Sequence, residues 1–318
     1  MTNNHSSSDI ENSQTLLNKI VLEYLQDKKR KRIWRWVKRA VVLLFILVVL
    51  YLFITTHNEE RALRAGPHVG LIDLKGAIFD TQTASADNFI KGLVKAYENK
   101  SIKAIILRID SPGGSPVQAD YIYNTIVHYR KQHPDVKIYA VCADMCASAA
   151  YYVAAAADEI YANPSSLVGS IGVIYNGFGF VDAMQKVGIQ RRLITAGRNK
   201  GFMDQFSPVV PDQEKLLQSM LVGIHQQFID QVKKGRGARL HIDDDTFSGL
   251  FWTGVEAKKR GLIDGFGSSG QVARDVIKIE KLVDYTHEPS VIERISKNIG
   301  TALADELPLA LGVKQGIQ

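Results

Sequence analysis

The chain is poor in cysteine and has no residue spacing typical of a metal site. Its 318 residues include only two cysteines, Cys142 and Cys146. They form neither a Cys-x-x-Cys motif nor a Cys/His ligand pattern. A disulfide is conceivable in an exported domain, but this spacing bridges poorly if a strand-to-helix turn lies between the two residues. We therefore interpret both cysteines as small buried residues, and we expect no metal and no cofactor.

An excess of basic over acidic charge is found only in one short segment. The formal net charge is +6 with a pI near 9.1, values that by themselves suggest nucleic-acid binding. However, eight of the 39 Lys and Arg residues lie within residues 28–39, which contain no acid. The rest of the chain, with 33 acidic residues, is therefore close to neutral. We expect no nucleic-acid partner, and an attraction of the basic segment to anionic lipid head groups.

The one long apolar run, residues 40–56, directly follows this basic segment. Its roughly 17 residues are just enough to cross a bilayer core as a helix, and Trp34, Trp36 and Tyr51 suit the membrane interfaces. A buried core helix is the alternative. A cleaved secretory signal is disfavoured because the run starts late and lacks a small-residue cleavage site. The positive-inside rule then places residues 1–39 in the cytoplasm and residues 57–318 outside it.

The segments around this run are assigned from their polarity. A stripe of apolar residues at helical spacing between residues 16 and 25 predicts an amphipathic helix on the membrane face, or one that docks a partner. Residues 57–67 are a polar linker, residues 68–287 are long enough for one large domain, and residues 288–318 form a less regular C-terminal arm. No internal repeat is visible.

Within the large domain, predicted strands alternate with predicted helices, which indicates an α/β fold with right-handed crossovers. The almost unbroken apolar run Ala104–Ile109 is typical of a strand in a parallel sheet that is covered on both faces. The other predicted strands are Val69–Leu74, Lys137–Cys142, Ile160–Ala162, Ile171–Tyr175 and Leu193–Thr195. The predicted helices are Asn88–Tyr97, Val117–Tyr129, Ala147–Ala156, Asp212–Lys234, Val255–Arg260 and Ser269–Ile279.

Ser148 stands where a predicted strand turns into a helix, among the small residues Ala147, Ala149 and Ala150. Small neighbours permit a sharp turn, and the free N–H groups of a helix N-terminus favour negative charge. A serine there is equally well explained as a helix N-cap or as a nucleophile. No Gly-x-Ser-x-Gly motif accompanies it.

Residues 110–115, Asp-Ser-Pro-Gly-Gly-Ser, follow a buried strand and precede a helix. The paired glycines Gly113 and Gly114 allow backbone N–H groups to face a substrate carbonyl, as stabilisation of an oxyanion requires. An ordinary strand-to-helix turn has the same composition, so this motif indicates a catalytic site only if other catalytic motifs occur in the same chain.

A serine nucleophile needs a base, and none of the eight histidines lies in a small-residue loop. Lysine is the remaining candidate. Its amine must be neutral to accept a proton, and burial against apolar walls lowers a lysine pKa. Lys200, framed by Gly197 and Gly201 with Phe202, Met203 and Phe206 nearby, is either such a base or a solvated loop residue. Ser170, between Gly169 and Ile171, is either a turn serine or a hydroxyl that orients the amine.

Taken together, these segments resemble the signal peptide peptidase A family of membrane-anchored serine–lysine peptidases. The resemblance spans about residues 69–267. Its motifs are the Asp-Ser-Pro-Gly-Gly run, the Ala-Ser-x-x-Tyr-Tyr block at 147–152, Ala-Asp-Glu-Ile-Tyr-Ala-Asn-Pro at 157–164, Gly-Ser-Ile-Gly-Val at 169–173 and Lys-Gly-Arg-Gly at 234–237. The resemblance implies the crotonase-like α/β fold shared with Clp-type peptidases.

By this resemblance, Ser148 is the nucleophile, Lys200 the general base, Ser170 the hydroxyl that orients the lysine, and Gly113 with Gly114 the oxyanion loop. In family members of this length the serine and the lysine come from neighbouring subunits, which implies a ring-like homo-oligomer. Two departures occur. Ala149 and Ala150 stand where many relatives have glycines, and Cys146 replaces a smaller residue, so that it could line the pocket or titrate.

The expected function is that of a serine endopeptidase in a bacterial inner membrane, with its catalytic domain outside the cytoplasm. Its substrates would be apolar peptides such as cleaved signal peptides or fragments of membrane proteins. Because Ala and Val dominate the helix after Ser148, we expect a pocket that prefers small or apolar side chains. The alternatives are a crotonase-type acyl-thioester enzyme and a catalytically idle membrane scaffold.

Overall fold

The computed structural model describes residues 28–52 and 65–288, which fall into two compact units divided between residues 65 and 66. In the first unit, residues 28–52 form helix α1, and every side chain of it is exposed. Among the described residues, none of the helices combines the length and the apolar character that a membrane span requires. The end of the predicted apolar run, the stripe between residues 16 and 25, most of the linker and nearly all of the C-terminal arm lie outside the described residues.

The second unit is built on a mixed sheet whose strands are numbered in chain order. Its strands are β1 (His68–Lys75), β2 (Ile102–Ser111), β3 (Lys137–Ala147), β4 (Glu159–Ala162), β5 (Leu167–Gly169), β6 (Phe251–Thr253), β7 (Gly265–Phe266) and β8 (Leu282–Asp284). The main order is β6-β5-β3-β2-β1-β8, and β4 joins β3 to β7. All pairings are parallel except β5 with β6.

Helices cover this sheet and connect its strands. They are α2 (Ala86–Tyr97), α3 (Pro116–Gln132), α4 (Ala149–Ala154), α5 (Val181–Lys186), α6 (Pro211–Arg236), α7 (Gly254–Lys259) and α8 (Ser269–Gln271), with a 3-10 turn at Gly237–Arg239 and a π-helical turn at Val272–Ile277. Each helix predicted for the large domain is present, with ends shifted by a few residues. The predicted strands Ile171–Tyr175 and Leu193–Thr195 are wrong, because both segments are irregular.

Strand β2 explains the position of the core. Ile105, Leu107 and Ile109 face the larger apolar cluster, whereas Ala104 and Ile106 face the smaller one on the opposite side of the sheet. Successive side chains of a strand point to opposite faces, so a strand buried on both faces has apolar residues at consecutive positions, as Ala104–Leu107 do. The prediction of a sheet covered on both faces is therefore confirmed.

Strand β3 changes partners along its length, and this change positions the functional segments. Residues 139–142 pair with β4, whereas residues 145–147 pair with β5. On the β2 side the register shifts between the pairs Ile109–Cys142 and Ser111–Cys146. The last residues of β3 therefore bend away from β4 and carry the following turn to the edge formed by β5.

A buried ion pair fixes the end of α6 to the loop before β7. The guanidinium of Arg236, which is 1% exposed, donates to both carboxylate oxygens of Asp264 at 2.8 and 2.9 Å and to the Gly261 carbonyl oxygen at 2.9 Å. Burial raises the pKa of Asp264, but the hydrogen bonds and charge of Arg236 outweigh burial and hold this pKa below its ordinary 3.8. The pair accounts for the arginine of the Lys-Gly-Arg-Gly motif at 234–237.

Candidate active site

Ser148 occupies a strained turn between β3 and α4. Its backbone angles, φ 54° and ψ −125°, are rare for a residue with a side chain, and such strain persists only where the surroundings enforce it. The Ser148 side chain makes no capping hydrogen bond, so the interpretation of this serine as an N-cap is wrong. The residue is half-buried, and within the described part of the chain its hydroxyl has no hydrogen-bond partner.

Two backbone hydrogen bonds and a close backbone contact hold this turn. The Ser148 N–H donates to the Gly169 carbonyl at 2.8 Å, and the Tyr152 N–H donates to the Ser148 carbonyl at 3.0 Å. A side chain on Gly113 would place its Cβ 2.8 Å from Ser148 Cβ and 2.9 Å from the Ala147 carbonyl oxygen. Gly113 is therefore required so that the Asp-Ser-Pro-Gly-Gly loop can lie directly against the turn.

The glycine loop is held in place from its other side by Ile78. The Ile78 N–H donates to the Gly113 carbonyl at 2.9 Å, and the Ser115 N–H donates to the Ile78 carbonyl at 2.8 Å. The Gly113 N–H is engaged by Ser111 Oγ at 3.1 Å. Among the described residues, the Gly114 N–H has no acceptor. Of the two predicted oxyanion donors, only Gly114 therefore has a free N–H group.

A cavity of about 290 Å³ opens beside Ser148 and Gly114. The carboxylate of Asp120 and the amide of Gln227 are its polar side chains besides Ser148 and the Tyr152 hydroxyl. The remaining wall is apolar and comes from α3, α4, α6 and the segment after Ser170. Its apolar side chains are those of Pro116, Val117, Ala149, Val173, Ile174, Ile224 and Phe228. The cavity can hold one side chain of a peptide whose carbonyl group faces Ser148.

Ser170 is the second serine with a positive φ, 52°. Its N–H donates to the Leu250 carbonyl at 2.8 Å, and it directly follows Gly169, whose carbonyl holds Ser148. Ser170 is half-buried at the end of β5. The structure therefore places Ser170 beside the turn that carries Ser148, although the two residues are far apart in sequence.

Lys200 is not brought to this cavity within one chain. It lies in the turn that begins at Gly197, it is exposed, and it is not among the residues that line the Ser148 cavity. Phe202 and Met203 are half-buried, whereas Phe206 is 40% exposed. The apolar cover predicted for the amine is therefore incomplete in the single chain.

The two cysteines are buried and free, as predicted. They are four residues apart on β3, and residues at even spacing share one face of a strand, so both belong to the larger apolar cluster. Burial, followed by a hydrogen bond with Cys142, raises the pKa of the Cys146 thiol well above its ordinary value. Cys146 therefore stays protonated and inert under the turn, and it does not line the cavity.

Sequence reasoning missed the polar residues of the cavity wall, Asp120 and Gln227. A signal was present for Asp120, because it lies four residues after Pro116 on the helix that follows the glycine loop, and residues four apart share one face of a helix. No local signal identified Gln227. It lies on α6, more than 70 residues away in sequence from Tyr152, to whose hydroxyl its side-chain amide donates at 3.4 Å.

Comparisons with known proteins agree with this architecture. A model of the Clp protease family matches residues 70–168, which include the glycine loop and Ser148. The mixed α/β sheet is thus of the Clp protease type. A model of peptidase family S49 matches residues 130–283, which include Ser148, Ser170 and Lys200.

Three similar proteins show the range of relatives. A Na(+)/H(+) antiporter NhaA of Brucella melitensis is 45% identical over 175 residues, which are 55% of this chain and 24% of that protein. The chloroplastic serine protease SPPA of Arabidopsis thaliana is 28% identical over 81% of this chain and 40% of its own length. A protein of Methanocaldococcus jannaschii, named as a candidate protease, is 30% identical over 68% of this chain and 67% of its own length.

These matches establish the family. The chain belongs to peptidase family S49, the family of the SppA and Protease 4 peptidases. It spans a quarter of the length of the Brucella protein and less than half of the Arabidopsis protein.

Proposed function

We propose that this protein is a serine endopeptidase in which Ser148 is the nucleophile and Lys200 of a neighbouring copy is the general base. The observation that carries the proposal is the strained turn at Ser148, whose free hydroxyl lies at a cavity beside the unpaired N–H of Gly114. Nucleophile, oxyanion donor and room for a substrate side chain are the elements that acyl transfer requires.

The reaction follows from these elements. Ser148 Oγ attacks the peptide carbonyl carbon while its proton passes to Lys200 Nζ, and the N–H group of Gly114 donates to the oxyanion. Collapse of the intermediate breaks the C–N bond, and Lys200 gives its proton to the leaving amine. Water then attacks the ester carbon and gives a proton to Lys200 Nζ. Collapse of this second intermediate breaks the bond between the acyl carbon and Ser148 Oγ, releases the carboxylic acid and returns the proton from Lys200 to Ser148 Oγ. Ser170 orients the lysine amine.

A neighbouring copy is proposed as the source of the lysine because much of the apolar surface of the segment that carries it is uncovered in the single chain. Helix α5 has no buried residue. Ile174 is 82% exposed and Ile194 is 96% exposed, and other large apolar side chains between residues 174 and 210 are exposed as well. A large exposed apolar surface marks a contact with another molecule. Packing of this segment on a second copy would cover these side chains and bring Lys200 to a Ser148 cavity.

We further propose that the chain is anchored in a membrane with its N-terminus in the cytoplasm and its S49 domain on the outer side. The support is the order of the basic residues 28–39 and the apolar run that follows them. Peptides released near the bilayer, such as cleaved signal peptides or fragments of membrane proteins, are then the substrates within reach. Bacterial inner membranes are the expected location.

Reaction with a serine-directed fluorophosphonate tests the site. Wild-type protein should be labelled, Ser148→Ala should not, and Lys200→Ala should be labelled far more slowly because the hydroxyl has lost its base. Ser165→Ala is the control, since this serine is exposed outside the cavity. Labelling of Ser148→Ala at the wild-type rate would show that the nucleophile is another residue.

Mixing the two inactive variants tests the shared site. Oligomers assembled from Ser148→Ala and Lys200→Ala chains should recover part of the wild-type peptidase activity, because a subunit with an intact serine meets a neighbour with an intact lysine. Verified mixed oligomers without any recovery would contradict the proposal.

A further inference from the structure

The Ala- and Val-rich helix after Ser148 had suggested a purely apolar pocket, but the cavity beside Ser148 also has polar side chains in its wall. One ionisable carboxylate, that of Asp120 on α3, lies in a wall built otherwise from aliphatic and aromatic side chains and a few neutral polar groups. A carboxylate at such a position is costly to desolvate unless a positive charge or several hydrogen bonds compensate it.

All protein partners of Asp120 are neutral. The Tyr152 hydroxyl donates to Oδ1 at 2.7 Å, the Gln227 side-chain amide donates to Oδ1 at 3.3 Å, and the Asn124 side-chain amide donates to Oδ2 at 2.9 Å. Within the described ranges, no lysine, arginine or histidine forms an ion pair with Asp120. The Asp120 carboxylate thus accepts several hydrogen bonds, but no positively charged side chain of the described residues pairs with it.

The same contacts fix the position of the carboxylate. The Tyr152 ring packs against the rings of Tyr123 and Phe228, with centroid distances of 5.3 and 5.1 Å. Burial and the hydrogen bond to Asp120 raise the pKa of Tyr152, so its hydroxyl remains a proton donor to the carboxylate. A charged side chain that is already held in place binds a ligand more tightly than a mobile side chain does, because it loses less conformational entropy on binding.

We propose that this cavity binds a substrate side chain with an apolar stem and a cationic end, lysine or arginine, at the residue next to the scissile bond, and that Asp120 selects it. The aliphatic and aromatic wall would contact the methylene groups, while the ammonium or guanidinium group would compensate the carboxylate. In serine proteases, one aspartate in the side-chain pocket sets a preference for basic residues in this way. The proposal rests on the proposed peptidase function and names its substrate class.

The substrates that test this proposal differ only in the terminal charge. Two quenched fluorescent peptides carry lysine or norleucine at the residue next to the scissile bond, and the cleavage site is verified by mass spectrometry on both sides of the cut. Wild-type protein should prefer the lysine peptide. In Asp120→Asn, kcat/KM for the lysine peptide should fall about 10- to 100-fold, whereas that for the norleucine peptide should change less than threefold.

The matched control is Asp135→Asn. This variant removes the same charge from an exposed residue beyond the end of α3, roughly 20 Å from Asp120 by the helical rise. It should leave both rates unchanged. The rate of fluorophosphonate labelling of Ser148 in Asp120→Asn shows whether the site has kept its structure.

Each other outcome overturns the proposal in a recognisable way. A lysine-to-norleucine ratio that is unchanged in Asp120→Asn, with normal labelling, refutes the role of Asp120 but not the peptidase. An equal loss for both peptides with a shifted pH profile would mean that Asp120 positions the catalytic lysine instead. Wild-type protein that cleaves neither peptide and is not labelled by the fluorophosphonate would refute the proposed function itself.

Discussion

Replacement of Gly114 by alanine should abolish most of the activity while the protein stays folded. An alanine Cβ would lie 2.3 Å from the Ile78 carbonyl oxygen and 2.8 Å from the Ile78 nitrogen. Ordinary contacts begin near 3.4 Å, so the loop must move away from Ile78 by about 1 Å. Both atoms are backbone, and they belong to the bridge that fixes the loop, so neither can rotate out of the way.

The expected loss follows from what this movement does to the Gly114 N–H. Displacement of a catalytic group by about 1 Å can cost about 100-fold in rate, and loss of one oxyanion donor costs about 100- to 1000-fold. The value of kcat/KM for a quenched fluorescent peptide should therefore fall at least about 100-fold in Gly114→Ala. Circular dichroism and the denaturation midpoint report whether the fold is intact.

Gly223→Ala is the matched control. It makes the same chemical change within α6, where an added Cβ would meet no atom within 4 Å. Because alanine favours a helix by roughly 0.5–1 kcal/mol over glycine, this variant should be fully active and equally or more stable. A folded Gly114→Ala protein with kcat/KM within threefold of wild type would refute the oxyanion role of this loop.

Two further predictions concern stability. Gly235→Ala would place a Cβ 1.9 Å from the Ala155 carbonyl oxygen, so that α6 must move away from α4. The free energy of unfolding should fall by about 1–3 kcal/mol in denaturant titrations, and an unchanged midpoint would contradict this packing. Asp264→Asn should cost about 3–5 kcal/mol at neutral pH, because Arg236 stays buried without its counter-charge. The folded pKa of Asp264 lies below 3.8, so its contribution is complete above that value and is lost as the pH falls through the folded pKa. The difference between wild type and variant should therefore shrink only in strong acid, and a difference that is independent of pH would argue against the ion pair.

The predictions from sequence succeeded where one segment carries its own signal. Strand β2 was found because its almost unbroken apolar run indicates burial on both faces. Helix α6 was found because its apolar residues recur at helical spacing, although its buried residues, Phe228, Val232 and Arg236, lie only in its C-terminal part. Strands β5 to β8 were missed, since each has only two or three residues and forms through pairing with distant strands. The segments Ile171–Tyr175 and Leu193–Thr195 were wrongly predicted as strands because their apolar residues indicate burial, whereas much of this apolar surface is exposed in the single chain.

The amino-acid sequence by itself determined the α/β class, the glycine loop and the serine that ends β3, because these depend on local backbone freedom and on runs of apolar residues. Only the tertiary structure decided whether the serine is a cap or a candidate nucleophile, because the conformation of its turn depends on contacts with Gly113 and Gly169. The tertiary structure also placed Asp120 and Gln227 in one cavity wall. Residues on two separate helices become neighbours only through the packing of these helices on the sheet, and no local sequence pattern predicts that packing.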